Sequence, residues 1–77
     1  MKRISLTHMK AGEKGKVVEV LGGDQLRQKL MHMGIYEGRE VTKVGHLALR
    51  GPITIRVGRA VVALGHSMGG KVKVTIQ

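Results

Sequence analysis

From Gly34 to Leu64 the chain runs as short β-branched stretches separated by glycine-rich turns, and this pattern confines it to a small, strongly twisted β-barrel. Ile53, Ile55 and Val57 alternate with Thr54 and Arg56, the period-two pattern of a strand with one buried face. Gly58-Arg59 then fits a two-residue hairpin turn with glycine first, and Ala60 to Leu64 returns as the partner strand. Val72, Val74 and Ile76 alternate with Lys71, Lys73 and Thr75, which predicts a closing strand with one apolar and one basic face. Lys16 to Leu21 and Glu40 to Val44 read as further strands, and Ile4 to Leu6 as a short one. Glu13-Lys14-Gly15 looks like a turn, Gly45 to Gly51 like a loop, and the Thr7 hydroxyl is placed to cap a single turn through His8-Met9-Lys10-Ala11.

Only one helix of any length is expected, Asp24 to Met33, with Asp24 as its N-cap and Leu26, Leu30 and Met33 on one side. Gly34 stands where a left-handed C-cap is wanted. About ten residues of helix do not persist alone in water, so the apolar stripe must lie on the barrel, with Arg27, Lys29 and His32 pointing elsewhere. The expected class is all-β, a small barrel with one or two short helices, and residues 1–77 form a single domain.

Seventy-seven residues bury only roughly 60% of the surface that the unfolded chain exposes, so there is little interior from which to carve an enzyme's pocket. With no cysteine, neither disulfides nor thiolate-bound metal reinforce the core, and aliphatic packing has to suffice. No window is long and apolar enough to span a membrane, and Met1-Lys2-Arg3 has no apolar run behind it to make a signal peptide. A soluble, intracellular protein that acts through its surface is expected.

Fourteen Lys and Arg against five acids give a formal charge of +9, which calls for an acidic partner: nucleic acid, an anionic membrane surface or an acidic protein face. The cations are dispersed along the chain, from Lys10 and Lys14 through Arg39, Lys43 and Arg56 to Lys73, and dispersion favours a solvated face over a dedicated groove. A basic small barrel attracts phosphate at low salt, but single-strand binders lay bases on exposed aromatics, and Tyr36 is the sole aromatic. No specific nucleic acid is expected.

Three further patterns are weaker than they look. Gly65-His66-Ser67-Met68-Gly69 matches the G-x-S-x-G nucleophile elbow, yet nothing after Ser67 is Asp, Glu or His, so no triad can follow in order. The same stretch nearly spells a phosphate-binding loop, Gly65 to Gly70-Lys71, but Val72 stands where a hydroxyl should meet magnesium. A flexible glycine turn before the last strand is the plainer reading. His8-Met9, Met31-His32-Met33 and His66-Met68 offer soft ligands, but neighbouring residues on a helix face different directions and do not converge on one ion. No catalytic residue, cofactor or metal site is assigned.

The run Leu26-x-x-x-Leu30-x-x-Met33-Gly34-Ile35-x-x-Gly38-x-x-Val41, followed by Gly51-Pro52-Ile53, Gly58, Ala63-Leu64 and Val72-x-Val74, resembles the FeoA family, the small cytosolic components of bacterial Fe(II) uptake systems. The resemblance covers nearly the whole chain, and Met33-Gly34-Ile35-x-x-Gly38 is its most diagnostic part. It implies an SH3-like barrel that works without catalysis beside a membrane ferrous-iron permease carrying a cytosolic G-protein domain, a FeoB-like partner. It implies a cytoplasmic location, peripheral to the inner membrane through that partner, with no direct membrane insertion. Similar barrels close the iron-dependent repressors, but no helix-turn-helix precedes this one. A basic nucleic-acid-binding barrel and a repressor-type SH3-like domain stand as the alternatives. Leu47-Ala48-Leu49 is oddly apolar for a connector, and exposed aliphatics rimmed by charge mark interfaces. Tyr36, Leu47, Ala48, Leu49 and Arg50 are therefore the expected partner-binding residues, with the surrounding cations steering the approach. The same leucines serve equally well as a cap on the barrel's open end. Self-association is left open.

Overall fold

The computed structural model describes residues 2–46 and 51–77, and places the alternating segments in one antiparallel sheet of order β1-β6-β2-β3-β4-β5. The strands are β1 (Arg3–Ser5), β2 (Lys14–Val20), β3 (Glu40–His46), β4 (Ile53–Val57), β5 (Ala60–Leu64) and β6 (Val72–Ile76). A 3₁₀ turn (Leu6–His8) follows β1, α1 (Asp24–His32) joins β2 to β3, and α2 (His66–Gly69) joins β5 to β6.

The hairpin of β4 and β5 pairs Val57 with Ala60 across Gly58-Arg59, as the sequence predicts. Gly58 has φ +60° and no residue other than glycine has a positive φ among those described, which fits a turn with its left-handed position first. In β6, Val72 and Val74 are buried while Lys73 and Thr75 lie on the other face. The sheet wraps an apolar core of aliphatic and methionine side chains, Leu6, Met9, Val17, Val20, Leu30, Ile35, Val41, Ile53, Ile55, Val57, Leu64, Val72 and Val74, with Ser5 and Lys43 the buried polar residues among those described. Each fully buried member contributes about 1.5–3 kcal/mol, which is how a chain without buried aromatics or disulfides holds together.

The end of α1 is a Schellman motif. Gly34, at φ +87°, donates from its N–H to Met31 O at 2.9 Å, and Ile35 N–H reaches back to Leu30 O at 2.9 Å. Leu30 and Ile35, the two residues such a motif brings into apolar contact, are both buried in the core. Leu26 and Met33 pack against that core and Leu30 is fully buried, so the expected stripe is the one that docks.

Five expectations change. Asp24 is the first residue of α1 and Gly23 its N-cap, with no side-chain cap bond; the carboxylate only favours the positive end of the helix. Thr7 lies inside the 3₁₀ turn and caps nothing: its hydroxyl shares a 2.5 Å hydrogen bond with that of Ser5. Leu6 belongs to this turn rather than to β1, and β2 begins at Lys14 because Lys14 and Gly15 pair with Thr42 and Val41. β3 runs through Gly45 to His46, beyond the expected break, because a bulge takes up Val44 as the extra residue and lets Gly45 and His46 go on pairing with Thr54 and Ile53 of β4. Leu47, Ala48, Leu49 and Arg50 lie outside the described residues.

Candidate functional site

The loop from Ile35 to Arg39 carries the chain's one aromatic, and the fold fixes this loop at both ends. Ile35 is buried behind α1, Gly38 N–H donates to Val17 O at 2.7 Å, and Val17 N–H donates to Arg39 O at 2.9 Å. Arg39 N–H closes the turn on Tyr36 O at 3.0 Å. Tyr36 is thus held at the surface, 38% exposed, with its ring between two depressions.

On one side lies a cleft of about 640 Å³, floored by the outward face of the sheet. Lys14 on β2 is the register partner of Thr42 on β3, and Thr42 of Arg56 on β4, so these three side chains stand in one row across the strands. Arg39 joins them from the loop. Its guanidinium lies 5.8 Å from the Tyr36 ring centroid and Nη1 donates to Tyr36 Oη at 3.1 Å. The close approach of this guanidinium to the β4–β5 turn needs Gly58, where a Cβ would come within 2.6 Å of Arg39 Nη2. Glu40 lines the same cleft, so three cations face one carboxylate.

On the other side of Tyr36 is a smaller pocket of about 250 Å³, lined by Val20, Met31 and Ile35. Met31 is 57% exposed. Arg27 edges this pocket, with Nη1 3.3 Å from Val20 O and 3.4 Å from Glu37 Oε2. That ion pair is roughly half-exposed and so contributes little to stability. Of the five residues expected at the interface, the structure therefore places Tyr36 on this surface. It adds Lys14, Arg39 and Arg56, whose convergence depends on strand register and leaves no local signal in the sequence.

Lys43 departs furthest from the solvated face expected for the basic residues. It is 1% exposed and its ammonium donates to Leu6 O at 2.7 Å and Met9 O at 3.0 Å, with Thr7 O at 3.4 Å. Burial lowers its pKa from the ordinary 10.5, and the charge of Glu13 partly opposes this. The side chain thus fastens the 3₁₀ turn to β3 from inside the barrel.

The Gly65–Gly69 motif is neither an elbow nor a flexible turn. It forms α2, a single helical turn with Ser67 exposed and Gly69 buried. A Cβ on Gly69 would lie 2.3 Å from Cδ1 of the fully buried Ile53 and 3.6 Å from Thr7 Cγ2, so the glycine is there for close packing. Gly69→Ala is expected to lower the unfolding free energy by about 1–3 kcal/mol through overpacking, read as a drop in the midpoint of urea denaturation. An unchanged midpoint would show that Ile53 repacks freely. Met9 is buried in the core and Met33 packs against it, while Met31 lies at the surface. Among the described residues no three His, Asp or Glu side chains form a metal-holding group. No described helix is long and apolar enough to cross a membrane.

Comparison with known proteins agrees with this architecture. The FeoA domain family model matches residues 4–76. A crystal structure of the iron uptake regulatory protein FeoA is 36% identical, with 100% of both chains covered and a TM-score of 0.91. A FeoA-like protein from Clostridium acetobutylicum is 28% identical over 99% of this chain and 88% of its own, with a TM-score of 0.84. A manganese-dependent transcriptional repressor in complex with manganese is 19% identical; the match spans 100% of this chain, 38% of the repressor, at a TM-score of 0.88, and shows a shared fold alone. A search of curated proteins finds no match. Six antiparallel strands with two short helices are the expected SH3-like barrel.

Proposed function

This chain belongs to the FeoA family, and from that premise we propose that it is a non-enzymatic accessory protein of a ferrous-iron uptake system. It acts by binding the membrane permease and its cytosolic G-protein domain, from the cytoplasmic side. The observation that carries this reading is the extent of the family match, residues 4–76 of a 77-residue chain, over a body whose described interior is packed mainly with apolar side chains. Such a body works through its exterior, and the described exterior offers a surface around Tyr36 that combines positive charge with exposed apolar area. A charge of +9 steers an acidic partner toward it.

The test is co-purification. Tagged chain, expressed with the permease of the same cell, is expected to be retained with the solubilised permease, and retention is expected to survive moderate salt. Binding carried by phosphate contacts alone falls steeply and log-linearly with salt. Failure to retain the permease at low salt would remove this reading, and retention of nucleic acid in its place would favour the basic-barrel alternative.

A further inference from the structure

We propose that the surface centred on Tyr36 is the docking site for an acidic peptide segment of a protein partner. One aliphatic side chain of that segment fills the small pocket, and its carboxylates lie in the basic cleft. The inference rests on the accessory reading above in taking the occupant to be a protein, and deepens it by naming the segment's chemistry and its seat.

Three observations converge on this occupant. Lys14 and Arg56 stand two strand spacings apart, about 10 Å, which acidic side chains two or three residues apart on an extended segment can reach together. Between them the Thr42 hydroxyl adds a hydrogen-bond donor, and Arg39 is already oriented by Tyr36, so little side-chain freedom is lost when its guanidinium takes a carboxylate. Adjoining this row, Val20, Met31, Ile35 and the edge of Tyr36 form a largely apolar depression of about 250 Å³, with room for an aliphatic side chain. Since Tyr36 lines both depressions, a single segment crossing it occupies both.

A nucleic acid fits the same surface poorly. Stacking needs an open aromatic face, and the Arg39 guanidinium lies over the Tyr36 ring. Glu40 lines the cleft and Glu37 the pocket, placing a carboxylate in the path of a phosphate backbone at both depressions. The apolar pocket has no counterpart in a sugar-phosphate chain. An acidic peptide meets the two carboxylates at single points and can present its aliphatic residue beside them.

The probe is the pentapeptide Glu-Glu-Leu-Glu-Glu, blocked at both ends, titrated into the ¹⁵N-labelled full chain. Amide shifts are expected to concentrate at Met31, Tyr36, Gly38, Thr42 and Gly58. The Leu-to-Ser analogue is expected to bind at least about fivefold more weakly, since it keeps every charge and loses the anchor. Lys14→Glu with Arg56→Glu is expected to weaken the leucine peptide by at least about tenfold, and Met31→Asp to bring it down to the level of the serine analogue. Lys14, Arg56 and Met31 are exposed, and unchanged melting curves will show that the variants fold; Arg56→Gln alone carries the test if the double variant does not. No shifts at millimolar peptide, shifts centred elsewhere, or equal binding of the two peptides overturns the proposal. So does displacement of the leucine peptide by an equal concentration of twelve-residue oligothymidylate. If the permease retains the Lys14→Glu, Arg56→Glu chain as well as the unmodified one, this docking site is wrong while the accessory reading stands. If the permease retains neither but the peptide behaves as expected, the site stands and that partner is wrong.

Discussion

Lys43→Met is expected to lower the unfolding free energy by about 2–4 kcal/mol, a large share of the roughly 5 kcal/mol that a domain of this size commands. Methionine keeps most of the aliphatic stem, so packing changes little, but it removes the ammonium donor from Met9 O and leaves Leu6 O with only the 3.3 Å bond from Met9 N–H, in a place that water does not reach. The backbone of Lys43 is committed to the same segment: its carbonyl accepts from Gly12 N–H at 2.7 Å and its N–H donates to Glu13 O at 2.9 Å. These bonds survive the substitution, so the N-terminal segment should loosen around residues 6–9 before it detaches. Urea denaturation followed by circular dichroism checks the magnitude, and a loss under about 0.5 kcal/mol would show that the carbonyls find other donors.

The pH dependence carries the opposite sign to that of a salt-bridged lysine. Burial lowers the folded-state pKa below 10.5, so between the lowered value and 10.5 the unfolded chain binds more protons than the folded one. The cost of burying the ammonium is fully present at neutral pH and is relieved as pH rises through that window. The difference in unfolding free energy between the unmodified chain and Lys43→Met should therefore be flat near neutral pH and widen toward pH 10.5, by at most about 1.4 kcal/mol per pH unit. Lysines common to both proteins cancel in the difference. A gap that narrows over that range would mean that the carbonyls, together with Glu13, outweigh burial.

Lys43 also marks where sequence reasoning reaches its limit. Strand parity places it on the inner face with Val41, two positions earlier, and that much was legible. Its charge argued for solvent, and the groups that make burial tolerable belong to a turn more than thirty residues upstream. The β4–β5 hairpin and the Schellman end of α1 were legible because every signal they need is local: alternation, a glycine-first turn, and a glycine flanked by Leu30 and Ile35. α2 was not, since a single turn has no period to read and its stability comes from Gly69 against Ile53. Tyr36 was recognised as a surface residue because it is the one aromatic. The row Lys14–Thr42–Arg56 beside it was hidden, because three dispersed residues become neighbours only once β2, β3 and β4 pair in this register.

Leu30→Ala is expected to cost about 3–5 kcal/mol and to disturb the Tyr36 surface as well as the core. Leu30 is fully buried, and α1, at nine residues, is too short to persist without it. The residue also holds two roles at the helix end: its side chain joins Ile35 in the core, and its carbonyl accepts from both Met33 and Ile35 N–H. Releasing this corner frees Ile35, and with it the turn that sets Tyr36 between cleft and pocket. Leu26→Ala, on a partly buried residue of the same stripe, should cost only about 1–2 kcal/mol. Amide exchange separates the two variants: the Gly34 and Ile35 protons, bonded to Met31 O and Leu30 O, should lose protection in Leu30→Ala well before the β4–β5 hairpin does. Equal loss of protection across helix and hairpin would mean that α1 and the barrel unfold as one unit, so that the Tyr36 corner has no local stability of its own. A cost for Leu30→Ala no larger than that for Leu26→Ala would mean that the helix rests on the barrel without an anchor, and that the Schellman turn alone fixes the loop.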